Sequence, residues 1–307
     1  MLSTGVRDGR VGAEEIAGLG ERLAPAGFAL DAAMSPALYD VLAPRLLADG
    51  DERPIRVLYA PCPCQPLGRG KRAPMLASED REERLAATRL ITETLSRARD
   101  LAAVAVVLPI AGRVALPDRD ATLRRWFVEG HLDAGGRAVG RFKRWRAERT
   151  HVVHRPLDGL RFSLDVLALE AERRGVRLGI PSVARYDEIP TRDELLTLLG
   201  ERLGAPLGVW LDTAAAHAKE VLGLGTQLDF VLALRSAAHA PEIIGVSISD
   251  AAGFVTGLPA GRGEIDLKAI LVLLPDTAVR VLVCDSSTRE DELESALSFV
   301  EAIPAAQ

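Results

Sequence analysis

The chain has 307 residues, 48% of them hydrophobic and 26% charged, with a formal net charge of -5. That length buries a large core, as one α/β barrel or two smaller domains, and the mild acidity excludes the basic footprint of general nucleic-acid binding. Three cysteines (Cys62, Cys64, Cys284) are too few for a disulfide framework, no apolar run reaches membrane-spanning length, and "MLSTGVRDGR" has no apolar leader segment, so a cytoplasmic protein is expected.

Short apolar runs alternate with longer helical patterns from end to end. The first strand is expected at Leu2 to Val6, followed by a helix over 13–24, a strand at Phe28–Leu30 and a helix near 36–48. "IRVLYAP" (55–61) is the third strand. Helix 79–100 follows, with Leu85, Thr88, Ile91 and Leu95 close to a period of 3.6, Ser78 as cap and acids in its first turn. "AVAVVLP" (103–109) is the fourth strand, and helix 157–174 closes on Gly175. "VRLGIP" (176–181) leads to helix 191–203, where Thr191 and Glu194 form a capping box. "LGVWLD" (207–212) precedes a helix that reaches towards Gly223. "IIGVSIS" (243–249), helix 266–274, "VRVLVCD" (279–285) and helix 290–301 complete the series.

Eight β→α units of this size predict a single (β/α)₈ TIM barrel, because continuous apolar strands fit a parallel sheet covered on both faces. An open doubly wound sheet lacks its Gly-x-Gly-x-x-Gly mark after strand one. The one departure from a minimal barrel is an insertion at roughly 113–155, between strand four and its helix. It is basic (Arg137, Arg141, Lys143, Arg144, Arg146, Arg149, Arg155) and carries Phe142 and Trp145. It reads either as a solvated helical excursion or contact between copies, or as a cover over an anionic ligand.

In such barrels function sits at the carboxyl ends of the strands. Here these read Pro181-Ser182, Asp212-Thr213, Ser247 to Asp250, and Asp285-Ser286. The ordered segments "AERRGVRLGIPS", "PTRDELLTLL", "GVWLDTAAAHA", "IIGVSISDAAG", "LPAGRGEIDLKAIL" and "VRVLVCDSS", with "LASEDREERLAA" in the first half, resemble the xylose isomerase-like TIM barrel superfamily. That group contains sugar isomerases and epimerases, inosose dehydratases and endonuclease IV. The resemblance covers nearly the whole chain.

What the resemblance implies is a divalent cation held by Glu, Asp, His and Glu from strands five to eight. It would polarise a carbonyl and a hydroxyl while the two glutamates move a proton. Position by position, the fifth-strand glutamate falls on Pro181 and the sixth-strand aspartate on Asp212. The histidine three residues later falls on Ala215, with His217 slightly further on. The seventh-strand histidine falls on Ser247 and the eighth-strand glutamate on Asp285. Asp212 and Asp285 are therefore the candidate catalytic and metal-ligating residues, for a weakly held Mn²⁺ or Mg²⁺ or for no metal at all.

Other readings compete at several positions. Asp212 is equally a helix cap, His217 a non-catalytic helical residue, and Asp285 a turn former before Ser286-Ser287. "CPC" (62–64) lacks a second cysteine pair, and "HVVH" (151–154) lacks a zincin glutamate. Basic residues recur after the strands: Arg69, Lys71 and Arg72, then Arg113, Arg185, Arg262 and Arg289. A basic mouth on an acidic protein would focus an anionic ligand. Arg262, Ser247, Asp250, Arg185 and His217 are the candidate substrate-binding residues.

Three functions follow. The first is a sugar or sugar-phosphate isomerase or epimerase with a degenerate metal site. The second is a barrel without metal chemistry that binds an anionic small molecule or a protein partner. The third, endonuclease IV-like DNA repair, lacks the His- and Glu-rich strand ends it needs. The expected ligand is small and anionic or polyhydroxylated, with no membrane role and no nucleic-acid partner, and assembly of identical copies is compatible with the sequence.

Overall fold

Eight parallel strands run in chain order around a closed ring: β1 (Leu2–Ser3), β2 (Phe28–Leu30), β3 (Ile55–Tyr59), β4 (Ala105–Val107), β5 (Arg177–Pro181), β6 (Leu207–Asp212), β7 (Ile243–Ile248) and β8 (Val279–Leu282). The ring closes where Leu2 pairs with Leu282. The computed structural model describes residues 1–6, 12–48, 53–64, 72–117, 119–131, 137–182, 185–221, 226–236 and 241–304. Arg69, Lys71 and Gly223 lie outside the described residues.

The helices outside the ring are α1 (Ala13–Leu23), α2 (Pro36–Ala48), α3 (Arg81–Asp100), α6 (His154–Arg174), α7 (Arg192–Gly200), α9 (Gln227–Ser236), α10 (Leu267–Leu271) and α11 (Glu290–Glu301). Two more, α4 (Asp120–Val128) and α5 (Arg137–Val152), form the insertion, and α8 (Thr213–Val221) follows β6 directly. The (β/α)₈ reading is thus the observed architecture. Among the described residues no helix is long and apolar enough to cross a membrane.

Local chemistry explains the ends of these elements. Thr191 accepts from the Glu194 amide at 3.4 Å while the Glu194 carboxylate accepts from the Thr191 amide at 2.8 Å, completing the expected box. Gly175 closes α6 in the left-handed region at φ 65°. Helix α3 starts later than expected. Asp80, whose carboxylate accepts from the Glu82 amide at 2.8 Å, is the cap, and Ser78 instead donates to Glu83 at 2.6 Å. Strand β1 is cut short because Thr4 turns its hydroxyl to the Asp31 amide (3.0 Å) and enters a 3₁₀ turn. Strand β8 ends at Leu282. Asp285, three residues on, donates its amide to Gly257 (2.9 Å), on a β-hairpin made by Asp250–Ala252 and Val255–Leu258.

Two apolar layers hold the barrel. The larger lies between strands and helices, where Ile91, Leu95, Leu160, Leu164 and Leu167 of α3 and α6 are at most 2% exposed. The smaller lies around Trp210, with Ala29, Val57, Ala105, Val107, Ile244 and Val281. Valines and isoleucine are the branched residues usual in such layers, and beside Ala29, Ala105 and the strand glycines the indole fills the remaining space. A Cβ on Gly179 would lie 2.8 Å from the Trp210 ring, and one on Gly245 would overlap it, so both flanking strands carry glycine there.

The insertion carries its own small core. Leu123, Trp126 and Tyr186 are buried together, and the Trp126 and Trp145 rings stack at 5.3 Å. Arg149 of α5 is 6% exposed; it donates to the Tyr186 and Glu188 carbonyls (2.7 and 2.9 Å) and to the Glu194 carboxylate (2.9 Å). At the other end, Phe127 of α4 meets Phe254 edge to face at 5.1 Å, and Arg124 lies over the Phe254 ring. The insertion therefore bridges the β5–α7 loop and the β7 hairpin. The side chains of residues 137–139, 142 and 143, which include Arg137, Phe142 and Lys143, lie outside the described residues. His151 and His154 fall on different helices, since α5 ends at Val152 and α6 starts at His154.

Candidate functional site at the barrel mouth

The floor of the mouth is a hydrogen-bonded triangle from three strands. Tyr59, at the end of β3, shares a 2.7 Å hydrogen bond with the Ser247 hydroxyl of β7. The Trp210 indole of β6 donates to the same Ser247 oxygen at 2.9 Å, and the Tyr59 and Trp210 rings meet edge to face at 6.0 Å. Burial drives the Tyr59 phenol well above its ordinary range, so it stays protonated. Ser247 is thus a structural part of the floor.

Asp212 pairs in register with Ser247. Its carboxylate accepts from the Ala215 amide at 2.8 Å, so it caps α8. Burial raises its pKa above the usual carboxylate range, and the Ala215 amide and Lys219 oppose that shift. The cap and the strand-end reading both hold for this residue, because α8 begins where β6 stops.

The other candidates are dispersed. Asp285 is exposed and accepts from the Ser287 amide (2.8 Å) and hydroxyl (2.6 Å), which lowers its pKa and makes it a turn former. Asp250 is 1% exposed and accepts from the amides of Ala251, Gly261 and Ile265, so it clamps the loop after β7. His217 is buried in α8, with Nδ1 3.7 Å from Glu220 and Nε2 3.5 Å from Glu264. Arg262 is exposed beyond the hairpin.

Among the described residues, three of the expected basic positions are neutralised locally. Arg185 bonds Asp187 at 3.1 Å, Arg113 lies 3.2 Å from Glu188, and Arg289 lies 3.1 Å from Asp291. Sequence composition shows the arginines; only the fold shows the carboxylates that their own loops bring to them.

The donor set does not fit the divalent cation that the resemblance implies. Pro181 has no donor atom. Ala215 supplies only the amide that Asp212 accepts, and Ser247 is committed to Tyr59 and Trp210. Asp285 bonds its own turn. Among the described residues no group of three His, Cys, Asp or Glu side chains is arranged to hold a metal ion. A tightly bound Mn²⁺ or Zn²⁺ needs more protein ligands than Asp212 alone.

Sequence reading missed Tyr59, Trp210 and Lys219. Lys219 is 7% exposed and donates to the Ser182 hydroxyl at 3.2 Å, at the end of β5. The available signal was α8 itself: "TAAAHAK" is small or apolar nearly all round, which marks a buried helix, and a lysine there is anomalous.

No family model and no curated protein sequence matches the chain. Among solved structures it superposes on a D-tagatose 3-epimerase-like protein with 19% identity, over 98% of this chain and 97% of that one (TM-score 0.65). A D-allulose 3-epimerase from Methylomonas sp., in complex with D-allulose, matches at 13% identity over 99% and 96% (TM-score 0.65). The IOLI protein with a binding zinc atom matches at 13% identity over 98% and 95% (TM-score 0.59). The fold shared with these structures is the closed (β/α)₈ barrel. At these identities the likeness establishes the fold and leaves the chemistry to the site.

Proposed function

We propose that the chain binds a small polyhydroxylated ligand at the barrel mouth, as a sugar isomerase- or epimerase-type barrel whose divalent-metal site is degenerate. The observation that carries this reading is Asp212 beside Ser247, next to the Tyr59–Trp210 floor, with the insertion meeting the hairpin that follows β7. The Asp212 carboxylate at the end of β6 is an acceptor suited to a sugar hydroxyl, and the buried Tyr59–Ser247–Trp210 network holds the strand ends that present it. The structural neighbours include named epimerases, one of them holding D-allulose, which supports the ligand class. Pairing of Arg113, Arg185 and Arg289 with acids favours a neutral ligand over the anionic one. The DNA-repair reading finds no multi-metal cluster among the described residues.

Calorimetric titration of D-allulose and D-tagatose tests this, in chelator and in Mn²⁺. Binding is expected to survive chelation and to weaken about tenfold in Asp212→Asn, a loss of roughly 1.4 kcal/mol. That variant keeps an oxygen acceptor for the Ala215 amide and so preserves the cap. Stoichiometric Mn²⁺ uptake on which sugar binding depends would overturn the degenerate-site reading.

A further inference from the structure

The chain has 34 arginines and only four lysines, at positions 71, 143, 219 and 268. Arginine serves for positive charge almost everywhere, yet a lysine stands at a position 7% exposed. The two differ in one respect that matters here: guanidinium stays protonated in proteins, whereas a buried lysine amine gives up its proton. An amine retained there in an arginine-rich chain suits chemistry that needs a neutral nitrogen.

The placement agrees. A helical side chain leans back over the preceding turn, and one turn before Lys219 stand Ala215 and Ala216, which leave room for the lysine stem. The amine thereby reaches the strand ends and bonds Ser182, next to Pro181, where the resemblance expects a glutamate. Ala215 is where it expects a histidine. An ammonium has three donors, and among the described residues the hydrogen bond to the neutral Ser182 hydroxyl is the one Lys219 makes.

We propose that Lys219 is the reactive amine of this barrel, condensing with the carbonyl of a bound keto or aldehydo sugar so that the iminium supplies the electron withdrawal a divalent cation supplies in the barrels it resembles. This rests on the sugar-binding reading. In the step, the amine lone pair forms the C–N bond, the carbonyl oxygen takes two protons and departs as water, and no oxidant or reductant is consumed. The iminium acidifies the adjacent C–H, and the Asp212 carboxylate, at the amino end of the same helix, accepts that proton. Reprotonation and hydrolysis release the sugar and restore both groups.

The electrostatics around the amine are consistent. Burial and the guanidinium groups of Arg192 (α7) and Arg149 (α5) lower its pKa to about 7, against the opposing pull of Asp212 (β6) and Glu188 (β5–α7 loop). Desolvation and cationic neighbours are the usual means of making a lysine nucleophilic.

The test is reductive trapping. The whole protein is incubated with D-allulose or dihydroxyacetone and cyanoborohydride, then analysed by intact mass and peptide mapping. A single adduct on Lys219 is expected, with a pH profile centred at about 7, and it should be lost in Lys219→Met. Because mapping uses the wild-type chain, the result stands even if the variant folds poorly. Absence of a Lys219 adduct while calorimetry shows D-allulose binding would overturn this proposal alone. Absence of both would overturn the sugar-binding reading on which it rests.

Stability gives a separate readout. The folded pKa of about 7 lies below the unfolded value, so between them the unfolded chain binds the extra proton. The contribution of Lys219 to stability therefore rises as pH increases from about 7 towards its unfolded pKa, and is lowest below about 7. Denaturant midpoints of the wild type should show that rise between pH 7 and about 10, and Lys219→Met should flatten it. A rise of equal size in Lys219→Met would place the titration elsewhere and remove this support.

Discussion

Arg149→Met is expected to lower the unfolding free energy by about 3 kcal/mol and to loosen the insertion. Arg149 is 6% exposed and joins three groups that cannot easily be satisfied otherwise. Its guanidinium serves the Tyr186 and Glu188 carbonyls and the Glu194 carboxylate, all at 2.7 to 2.9 Å. Methionine fills much of the volume but leaves those acceptors without their donor. Glu194 retains the Thr191 amide, so the cost should fall at the lower end for a broken buried pair. Arg146→Met is the control: its contact with Asp193 is 3.8 Å long and exposed, and its loss should change stability by less than about 0.5 kcal/mol.

Urea denaturation and limited proteolysis within 113–155 measure both effects. A double-mutant cycle with Glu194→Gln should give a coupling of about 1 kcal/mol or more; additive losses would show that the pair does not hold the insertion. Removing this guanidinium also takes one positive neighbour from Lys219, so the trapping profile should move to higher pH.

The barrel was legible in sequence because its parts are local. Strands such as "AVAVVLP" are apolar on both faces, and caps such as Thr191–Glu194 and Gly175 are fixed by three or four consecutive residues. The hairpin after β7 was not legible: "DAAGFVTGL" is short and mixed, and Gly253, at φ 56°, reads only as a loop. Helix α9 (Gln227–Ser236) was likewise not expected, because it starts beyond Gly223, towards which the helix after β6 was read.

The site divides along the same line. Asp212 was visible because an apolar run stops on it. The partners of Ser247 were not, since Tyr59 and Trp210 come from strands that meet Ser247 only when the ring closes. The pairing of Arg185 with Asp187 and Glu188 was not legible either, because the recurrence of arginines after the strands does not show which acids their loops bring to them. Asp285 reads as a strand end in sequence, but β8 has already stopped at Leu282 and left it to a turn.

Gly245→Ala should be comparably damaging, at about 3 kcal/mol, the upper part of the usual range for overpacking. The added methyl would occupy the space of the Trp210 six-membered ring. The indole has little freedom to yield. Its Nε1 is held by Ser247, its face lies against Gly179 on the other strand, and it is 1% exposed. Relief therefore requires either breaking the Trp210–Ser247 hydrogen bond or spreading β6 from β7, where Asp212 and Ser247 are register neighbours. Both routes disturb the floor, so sugar affinity should fall together with stability. Gly200→Ala is the matched control, because a methyl there meets nothing within 4 Å at the end of α7; that change should be neutral or stabilising by a few tenths of a kcal/mol, at most about 1. Trimming the indole supplies the discriminating result. Trp210→Leu in the Gly245→Ala background should recover part of the lost stability while sugar binding stays lost, because the donor to Ser247 is gone. Recovery of both would mean that the indole fills volume and contributes nothing to the site.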